Sequence, residues 1–335
     1  DFLYQDRQFR LEVENYSRAV QLSPSAGDYS IYQKGFLLGL QKDYKGKISA
    51  MDRLISEYPE SQYVDDALFE KGRSYVLLEN SSSAAQAFEK LIREFPQSSL
   101  ARKAGIQLGL LYYNDNQPEK ALAAYKQVIS NYPGSEEAKI ALQDLKSVYI
   151  DLNDINAYAS YVNSIGGNIR LEVGEQDSLT YIAAEKLFMR GDNDGARRSL
   201  INYLQTFPEG AFSSNANFYL GSIAFAKKEF DEAIQRFKSV IASGDTKFLE
   251  ESVARTAEIE YLSKDYPAAL ESFKRLLIVA ENPENRQAAR LGIMRCALQT
   301  GQQKDALLAA DELLKEPKLS PELEAEARYV RAKAY

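Results

Sequence analysis

The feature that most constrains this chain is an internal repeat of about 37 residues. The closing tripeptides Glu57-Tyr58-Pro59, Glu94-Phe95-Pro96 and Asn131-Tyr132-Pro133 follow one another at intervals of 37 residues (95 − 58 and 132 − 95). A fourth, Thr206-Phe207-Pro208, lies about two periods further on. Self-similarity at a fixed period is typical of chains that stack one small structural unit many times. We expect eight units, which start near residues 28, 65, 102, 138, 177, 214, 250 and 287.

Three columns of residues recur in register within these units. The first column carries Gly35, Gly72, Gly109 and Gly221. The second carries Ala84, Ala121, Ala196, Ala233, Ala269 and Ala306. The third, four residues later, is aromatic and carries Phe88, Tyr125, Tyr161, Phe237 and Phe273. Small columns would let two helices approach closely, and we expect the aromatic column to fill the gap between neighbouring units.

The apolar residues of each unit follow a helical period. In the third unit one stripe consists of Ala121, Leu122, Tyr125, Val128, Ile129 and Tyr132, which is the spacing of an amphipathic helix. Breakers such as Asp43 and Gly301 fall midway through a unit, and the prolines of the closing tripeptides end it. Each unit is therefore predicted to be an antiparallel helix pair. One pair cannot bury its own stripe, so the pairs must stack into an all-α array.

Composition excludes several kinds of chemistry. The chain has no His and one Cys, so it cannot build a Ser-His-Asp triad, a His-ligated zinc site or an intrachain disulfide. Its net charge of −7 argues against a nucleic-acid partner, since such surfaces need clustered cations. Cys296 lies among Ala, Leu and Met residues and is interpreted as a buried small residue rather than a nucleophile. We expect no enzyme activity, no cofactor and no metal site.

Three motifs invite a functional interpretation, and each has a simpler structural one that we favour. Gly46-Lys47 lacks the spacing of a phosphate-binding loop and reads as a turn between helices. The segment 192–195 resembles part of a calcium loop, but Asp and Asn are also favoured as helix caps. Glu322, Glu324 and Glu326 would spread around a helix, which indicates a solvated face rather than a carboxylate cluster.

The predicted organisation has five segments. Residues 1–27 would be the terminal helix of a truncated preceding repeat, 28–165 the first four repeats, 166–176 an interrupting loop, 177–319 repeats five to eight, and 320–335 the first helix of a truncated following repeat. The loop carries Gly166, Gly167 and Gly174 and would be either a hinge or a long turn, of which we favour the turn. The sequence reads as a fragment, without an apolar run that could span a membrane.

The columns resemble the tetratricopeptide repeat, whose motif places a small residue, Tyr, Ala, an aromatic residue and Pro at these offsets. Gly72 and Tyr75, Ala84 and Phe88, and Pro96 match it, and the third unit matches as well. The resemblance covers roughly residues 28–320 and is weaker in unit one, where Lys47 replaces Ala, and in unit four. It implies a right-handed superhelical α-solenoid of stacked antiparallel helix pairs. The closings of the form F/Y-P-x-S are similar to bacterial envelope members of the family, including outer-membrane assembly lipoproteins and the periplasmic partner of the Tol–Pal system.

The resemblance also implies where a partner would bind. Positions five, nine and twelve of each first helix would face the concave groove. Position five is apolar throughout, and we expect it to support the curve by packing between neighbouring first helices. Positions nine and twelve supply the candidate partner-binding residues, which are Phe36, Arg73, Leu110, Tyr113, Lys146, Tyr149, Glu185, Phe188, Phe225, Glu258, Tyr261 and Arg295. The Lys and Asn of a carboxylate clamp do not occur together, so binding should not require a free C-terminal carboxylate.

The expected function is therefore a non-catalytic interaction scaffold that binds a protein or peptide partner in its groove. The envelope resemblance implies a periplasmic or outer-membrane-associated location, with the cytoplasm as the alternative. Two other interpretations remain open. The chain would instead be a structural spacer that self-associates through its truncated ends, or the regulatory repeat region of a larger multidomain protein.

Overall fold

The computed structural model describes residues 2–166, 170–244, 247–317 and 319–334, and these residues form helices and turns without any β-strand. The first eight helices are α1 (Phe2–Leu22), α2 (Gly27–Leu40), α3 (Tyr44–Glu57), α4 (Val64–Leu77), α5 (Ser81–Glu94), α6 (Ser99–Asn114), α7 (Pro118–Asn131) and α8 (Glu136–Asp151). The next ten are α9 (Ile155–Ile165), α10 (Val173–Met189), α11 (Asn193–Thr206), α12 (Ser213–Ala226), α13 (Phe230–Ala242), α14 (Leu249–Leu262), α15 (Tyr266–Val279), α16 (Pro283–Gln299), α17 (Gln303–Leu313) and α18 (Pro321–Ala334).

The helices divide between two compact units, an N-terminal unit of residues 1–149 and a C-terminal unit of residues 150–335. The boundary falls near the end of α8, upstream of the predicted interruption at 166–176. Within that segment, residues 167–169 lie outside the described residues, and Val173 already begins α10. The choice between a hinge and a long turn therefore stays a prediction, as does the five-segment division.

Four second helices are followed by a closing tripeptide, and each of them ends where the sequence predicts. Helices α3, α5, α7 and α11 end two residues before Pro59, Pro96, Pro133 and Pro208. A residue that precedes proline is pushed out of the helical region of backbone space, so the helix cannot continue into the tripeptide. The all-α fold of stacked helix pairs is confirmed, and its helix ends follow from the sequence.

The turn between the two helices of each pair adopts the same backbone conformation, and this conformation recurs every 36 to 38 residues. A residue with positive φ stands there in every pair: Lys42, Glu79, Asn116, Asn153, Gly191, Lys228, Lys264 and Gly301. The next residue caps the second helix, and in several pairs its side chain accepts a backbone N–H. The Asp43 carboxylate accepts from Gly46 and the Asp192 carboxylate from Gly195, each at 2.9 Å. The segment 192–195 is thus a helix cap followed by the first turn of α11, whereas Gly46-Lys47, predicted to be a turn between helices, lies in the first turn of α3.

The glycines of the first column leave room for the aromatic side chains of the third column in the same helix pair. A Cβ built on Gly72 would lie 2.5 Å from the Phe88 ring, and one built on Gly109 would lie 2.4 Å from the Tyr125 ring. The expectation that these rings fill the gap between units was therefore incomplete, because they first fill the space inside their own pair. Phe273 differs, since it also reaches Gly292 of the next pair, where a Cβ would lie 2.4 Å away.

The F/Y-P-x-S closing lies between two helix pairs, and its polar groups bond to the preceding pair. The Tyr132 hydroxyl donates to the carbonyl oxygen of Pro96 at 2.8 Å. The Ser98 hydroxyl donates to Asp65, at the start of the preceding first helix, at 2.7 Å. Ser61 makes the same bond to Asp28 at 2.6 Å. The motif therefore satisfies polar groups across the interface between neighbouring pairs.

Candidate functional site

In repeats one to three the large apolar side chains that reach solvent from within helices lie on first helices, and Leu11 and Leu22 of α1 are exposed as well. Phe36 is 44% exposed and Leu110 is 43% exposed, and Leu40 and Leu77 are exposed beside them. Helices α3, α5 and α7, which the structure describes in full, expose no large hydrophobic side chain. We name the row Phe36, Leu40, Arg73, Leu77, Leu110 and Tyr113 the N-terminal face.

The other predicted residues of this unit differ in exposure. The Arg73 guanidinium is more than half exposed and pairs with Glu70 at 3.3 Å. Tyr113 and Lys146 are partly buried. Tyr149 is only 5% exposed, and the Lys126 ammonium lies 5.5 Å from the centre of its ring. Tyr149 therefore offers a partner little surface, although the column spacing placed it in the groove.

In the C-terminal unit Glu185 and Phe188 lie next to a cluster of tyrosines. The Glu185 carboxylate accepts hydrogen bonds from the hydroxyls of Tyr181 at 2.6 Å and Tyr219 at 3.0 Å. Burial, and then the hydrogen bond to Glu185, raise the pKa of Tyr181. The Phe188 ring packs on the Tyr219 ring with centroids 4.6 Å apart. These contacts fix both residues in place, with their side chains partly exposed.

Phe225 and Glu258 both contact Arg255, a residue that the column analysis did not select. The Arg255 guanidinium lies 4.9 Å from the centre of the Phe225 ring. It also pairs with Glu251 at 2.8 Å and with Glu258 at 2.9 Å. Arg255 stands at position six of its helix, one place after the position-five column, so a search restricted to positions five, nine and twelve could not find it.

Three of the predicted residues, Glu258, Tyr261 and Arg295, line one cavity of about 320 Å³ between α14, α15 and α16. Phe273 and Leu276 contribute apolar lining from α15. A volume of this size lies at the lower end of ligand-binding pockets, about 300–1,000 Å³. We name the row Glu185, Phe188, Phe225, Glu258, Tyr261 and Arg295 the C-terminal face, and the cavity is the part of it that encloses space.

Arg295 at the edge of the cavity is held by Glu326 of α18. Two of its nitrogens donate to the two carboxylate oxygens, at 2.7 Å and 2.8 Å. This bidentate pair is the strong form of a charge-assisted hydrogen bond. It lowers the pKa of Glu326 and raises the pKa of Arg295. Glu326, first considered only as part of a solvated face, therefore positions a residue of the candidate site.

The described residues contain no group of His, Cys, Asp and Glu side chains that could hold a metal ion. Cys296 is fully buried, and burial raises the pKa of its thiol to about 11. At neutral pH the nucleophilic thiolate is therefore scarcely populated. None of the helices in the described part of the chain is both long and apolar enough to cross a bilayer. What the two faces offer is apolar and charged contact area.

The fold and the exposed first helices define a class, the α-solenoids built from stacked helix pairs. Family models for the tetratricopeptide repeat match residues 29–61 and 183–246. The model of the YfiO outer membrane lipoprotein family matches residues 65–143. The chain contains tetratricopeptide repeats, and its second and third repeats are similar to that family of the bacterial envelope.

Several solved structures align with this chain at low sequence identity. The structure of Naa15/Naa10 bound to HypK-THB aligns with a TM-score of 0.51 and 12% identity, over 99% of this chain and 53% of that one. This chain thus spans about half the length of that relative. The complex of the yeast Sti1 TPR2AB domain with pHSP90 aligns with a TM-score of 0.40 and 11% identity, over 85% and 99% of the chains. A tetratricopeptide repeat protein from Parabacteroides merdae gives 0.31 and 14%, over 80% and 98%. No curated protein matches the sequence.

Proposed function

We propose that the chain is a non-catalytic scaffold that binds a protein or peptide partner on its first helices, within a complex of the bacterial envelope. The observation that carries this proposal is the distribution of exposed apolar side chains. In repeats one to three they lie on the first helices, where Phe36 and Leu110 are more than 40% exposed, and they are absent from the second helices α3, α5 and α7. Apolar surface confined to one face of a solvated protein is typical of an interaction site.

The charged groups of the C-terminal face suit the same role. Arg295 is held by Glu326, and Glu258 is held by Arg255. Charges fixed in this way are already oriented, so less side-chain entropy is lost when a partner covers them. Aromatic residues such as Tyr261 would supply most of the affinity, and the charges would set selectivity and association rate.

The proposed location is the periplasm or the periplasmic side of the outer membrane. Its support is the match of residues 65–143 to an outer membrane lipoprotein family. Fractionation of cells that express the full-length protein tests the location. Recovery with the outer-membrane or periplasmic fraction is expected, and recovery in the cytoplasm would overturn this part of the proposal.

The binding face is tested with charge substitutions that have matched controls. We expect Phe36→Glu with Leu110→Glu to abolish co-purification of the partners that the parent protein captures in its host cell. The control is Ile278→Glu with Leu308→Glu, because these side chains are 84% and 65% exposed on second helices. Equal capture by both double variants would overturn the proposed face. The purified protein could instead form assemblies whose size increases with its concentration. If the Phe36→Glu and Leu110→Glu variant does not form them, the result would favour a self-assembling spacer.

A further inference from the structure

Position five of the first helix carries a stacked pair of rings in three repeats. The position-five ring lies face to face with a ring at the start of the next first helix. The stacked pairs are Tyr32 on Tyr63 (centroids 5.3 Å apart, planes at 15°), Tyr181 on Phe212 (4.5 Å, 3°) and Phe218 on Phe248 (4.0 Å, 11°). The two members of each pair are separated by 30 or 31 residues. Such pairs fill the space between consecutive first helices with aromatic side chains.

The seventh repeat lacks both rings. Its position five is Ala254, and Asn285 stands 31 residues later, where the second ring would be. Both line the cavity of about 320 Å³ between α14 and α16, together with Ala288 and Gly292. The Asn285 side chain is directed towards Glu250, since its amide donates a hydrogen bond to the Glu250 carboxylate at 2.7 Å. The cavity therefore lies at the place that two stacked rings occupy in the first, fifth and sixth repeats.

We propose that this cavity takes an aromatic side chain of the protein partner, presented next to a basic residue. This inference rests on the proposed function, because it assigns a specific residue of the partner to the C-terminal face. Phe273, Leu276 and Leu291 give the cavity apolar walls, and Tyr261 gives it an aromatic one. An inserted ring would restore the aromatic contacts that other repeats make internally.

The charges around the opening of the cavity favour a basic residue next to the inserted aromatic side chain. The charged residues that line the cavity are Glu251, Arg255, Glu258 and Arg295. Arg295 is matched by Glu326, which leaves Arg255 between two carboxylates at 2.8 Å and 2.9 Å. Both glutamates remain more than 40% exposed. The rim therefore has one negative charge in excess, and a Lys or Arg beside the inserted ring would complement it.

The test uses the full chain and synthetic peptides. The protein contains no Trp, so tryptophan fluorescence reports only on the peptide. The probe is the blocked peptide acetyl-SKWKS-amide, and its charge-reversed counterpart is acetyl-SEWES-amide. We expect a saturable blue shift of the Trp emission with the first peptide and at least tenfold weaker binding of the second. Absence of a shift with the first peptide, or equal binding of both, would overturn the proposal.

Two variants locate the binding. Ala254→Phe returns the missing ring to position five, and we expect at least tenfold weaker binding of acetyl-SKWKS-amide. Ala242→Phe adds the same side chain to an exposed site on α13 and should bind like the parent. If circular dichroism shows that Ala254→Phe is misfolded, the Glu258→Gln variant tests whether the peptide binds at the cavity. This variant removes the excess charge from a half-exposed site, and it should reduce the preference for the lysine-flanked peptide several-fold.

Failure of this inference is distinguishable from failure of the proposed function. If Phe36→Glu with Leu110→Glu loses the cellular partner while Ala254→Phe binds the lysine-flanked peptide as the parent does, the interaction face stands and the cavity assignment is wrong. If neither the face variant nor Ala254→Phe changes partner capture or peptide binding, both proposals are overturned.

Discussion

The Lys47 ammonium forms an ion pair with the Glu70 carboxylate between the first and second repeats, and the two side chains are only 10% and 14% exposed. Lys47 stands in the column that holds Ala84 one repeat later. Gly39 leaves room for the longer side chain, since a Cβ there would lie 2.8 Å from the lysine Cδ. The departure from the repeat pattern at Lys47 is therefore compensated by two other residues.

The pair predicts an asymmetric response to mutation. Glu70→Ala would leave a buried ammonium without a counter-charge, and removal of one partner from such a pair costs about 3–5 kcal/mol. Lys47→Ala should cost less, because it restores the alanine of the column and Arg73 still pairs with Glu70 at 3.3 Å. Urea unfolding of both single variants and the double variant measures the coupling free energy.

The control for this cycle is an exposed pair on α3. Arg53 pairs with Glu57 at 3.0 Å, and both side chains are nearly half exposed. Glu57→Ala should lower the free energy of unfolding by less than about 1 kcal/mol, as surface pairs do. Equal losses for Glu57→Ala and Glu70→Ala would show that burial of Lys47 has no energetic consequence.

The glycine column predicts that Gly221→Ala destabilises the C-terminal unit. The new Cβ would lie 2.8 Å from the Phe237 ring, which is 1% exposed and cannot move aside. Overpacking of this kind costs about 1–3 kcal/mol, more than the gain of about 1 kcal/mol in helix propensity. Gly174→Ala, on α10 with nothing within 4 Å, should leave stability equal or slightly higher. Thermal unfolding compares the two variants, and a stabilised Gly221→Ala would contradict the close contact.

Tyrosines that are partly or fully buried predict a loss of stability in alkali. Burial raises the pKa of Tyr32, Tyr112 and Tyr158 to about 12, and at Tyr112 a hydrogen bond to Glu89 adds to it. The unfolded chain releases these protons near pH 10. Stabilisation from the neutral hydroxyls is therefore complete below pH 10 and disappears as the pH rises towards 12. Urea unfolding between pH 9 and 11 should show this fall, and Tyr112→Phe should make it shallower. A stability that is constant to pH 11 would contradict the raised values.

Cys296 predicts a native state that resists thiol reagents. Its side chain is fully buried, and burial raises the pKa of the thiol to about 11. At pH 8 we expect one thiol to react with an aromatic disulfide reagent in urea and almost none in buffer, with a difference in rate of at least a hundredfold. Fast labelling of the folded protein would show that α16 opens readily or that its packing differs.

The repeat pattern predicted the helices well because each depends on local information. Proline at 59, 96, 133 and 208 limits the residue before it, so the ends of second helices follow from the sequence. The caps at Asp43 and Asp192 are equally local, since their carboxylates accept from a backbone N–H three residues away. No tertiary contact was needed to place any of these elements.

The candidate site was predicted less well because it depends on contacts between repeats. Nothing near Tyr149 in the sequence shows that its ring is buried beside Lys126. Arg255 was missed because it lies outside positions five, nine and twelve, and because its aromatic contact, Phe225, belongs to the preceding repeat. The small residue Ala254 was visible in the position-five column, but only the structure shows that it borders a cavity.

The left-handed residue inside every pair has a consequence for how such a chain can be rebuilt. Lys42, Glu79 and Asn116 adopt this conformation with quite different side chains, so the backbone alone marks the same point in successive repeats. Cutting and rejoining at two of these points would remove or duplicate one period while leaving each cap joined to the helix it serves. Arrays of other lengths could thus be assembled from this sequence without designing a new junction.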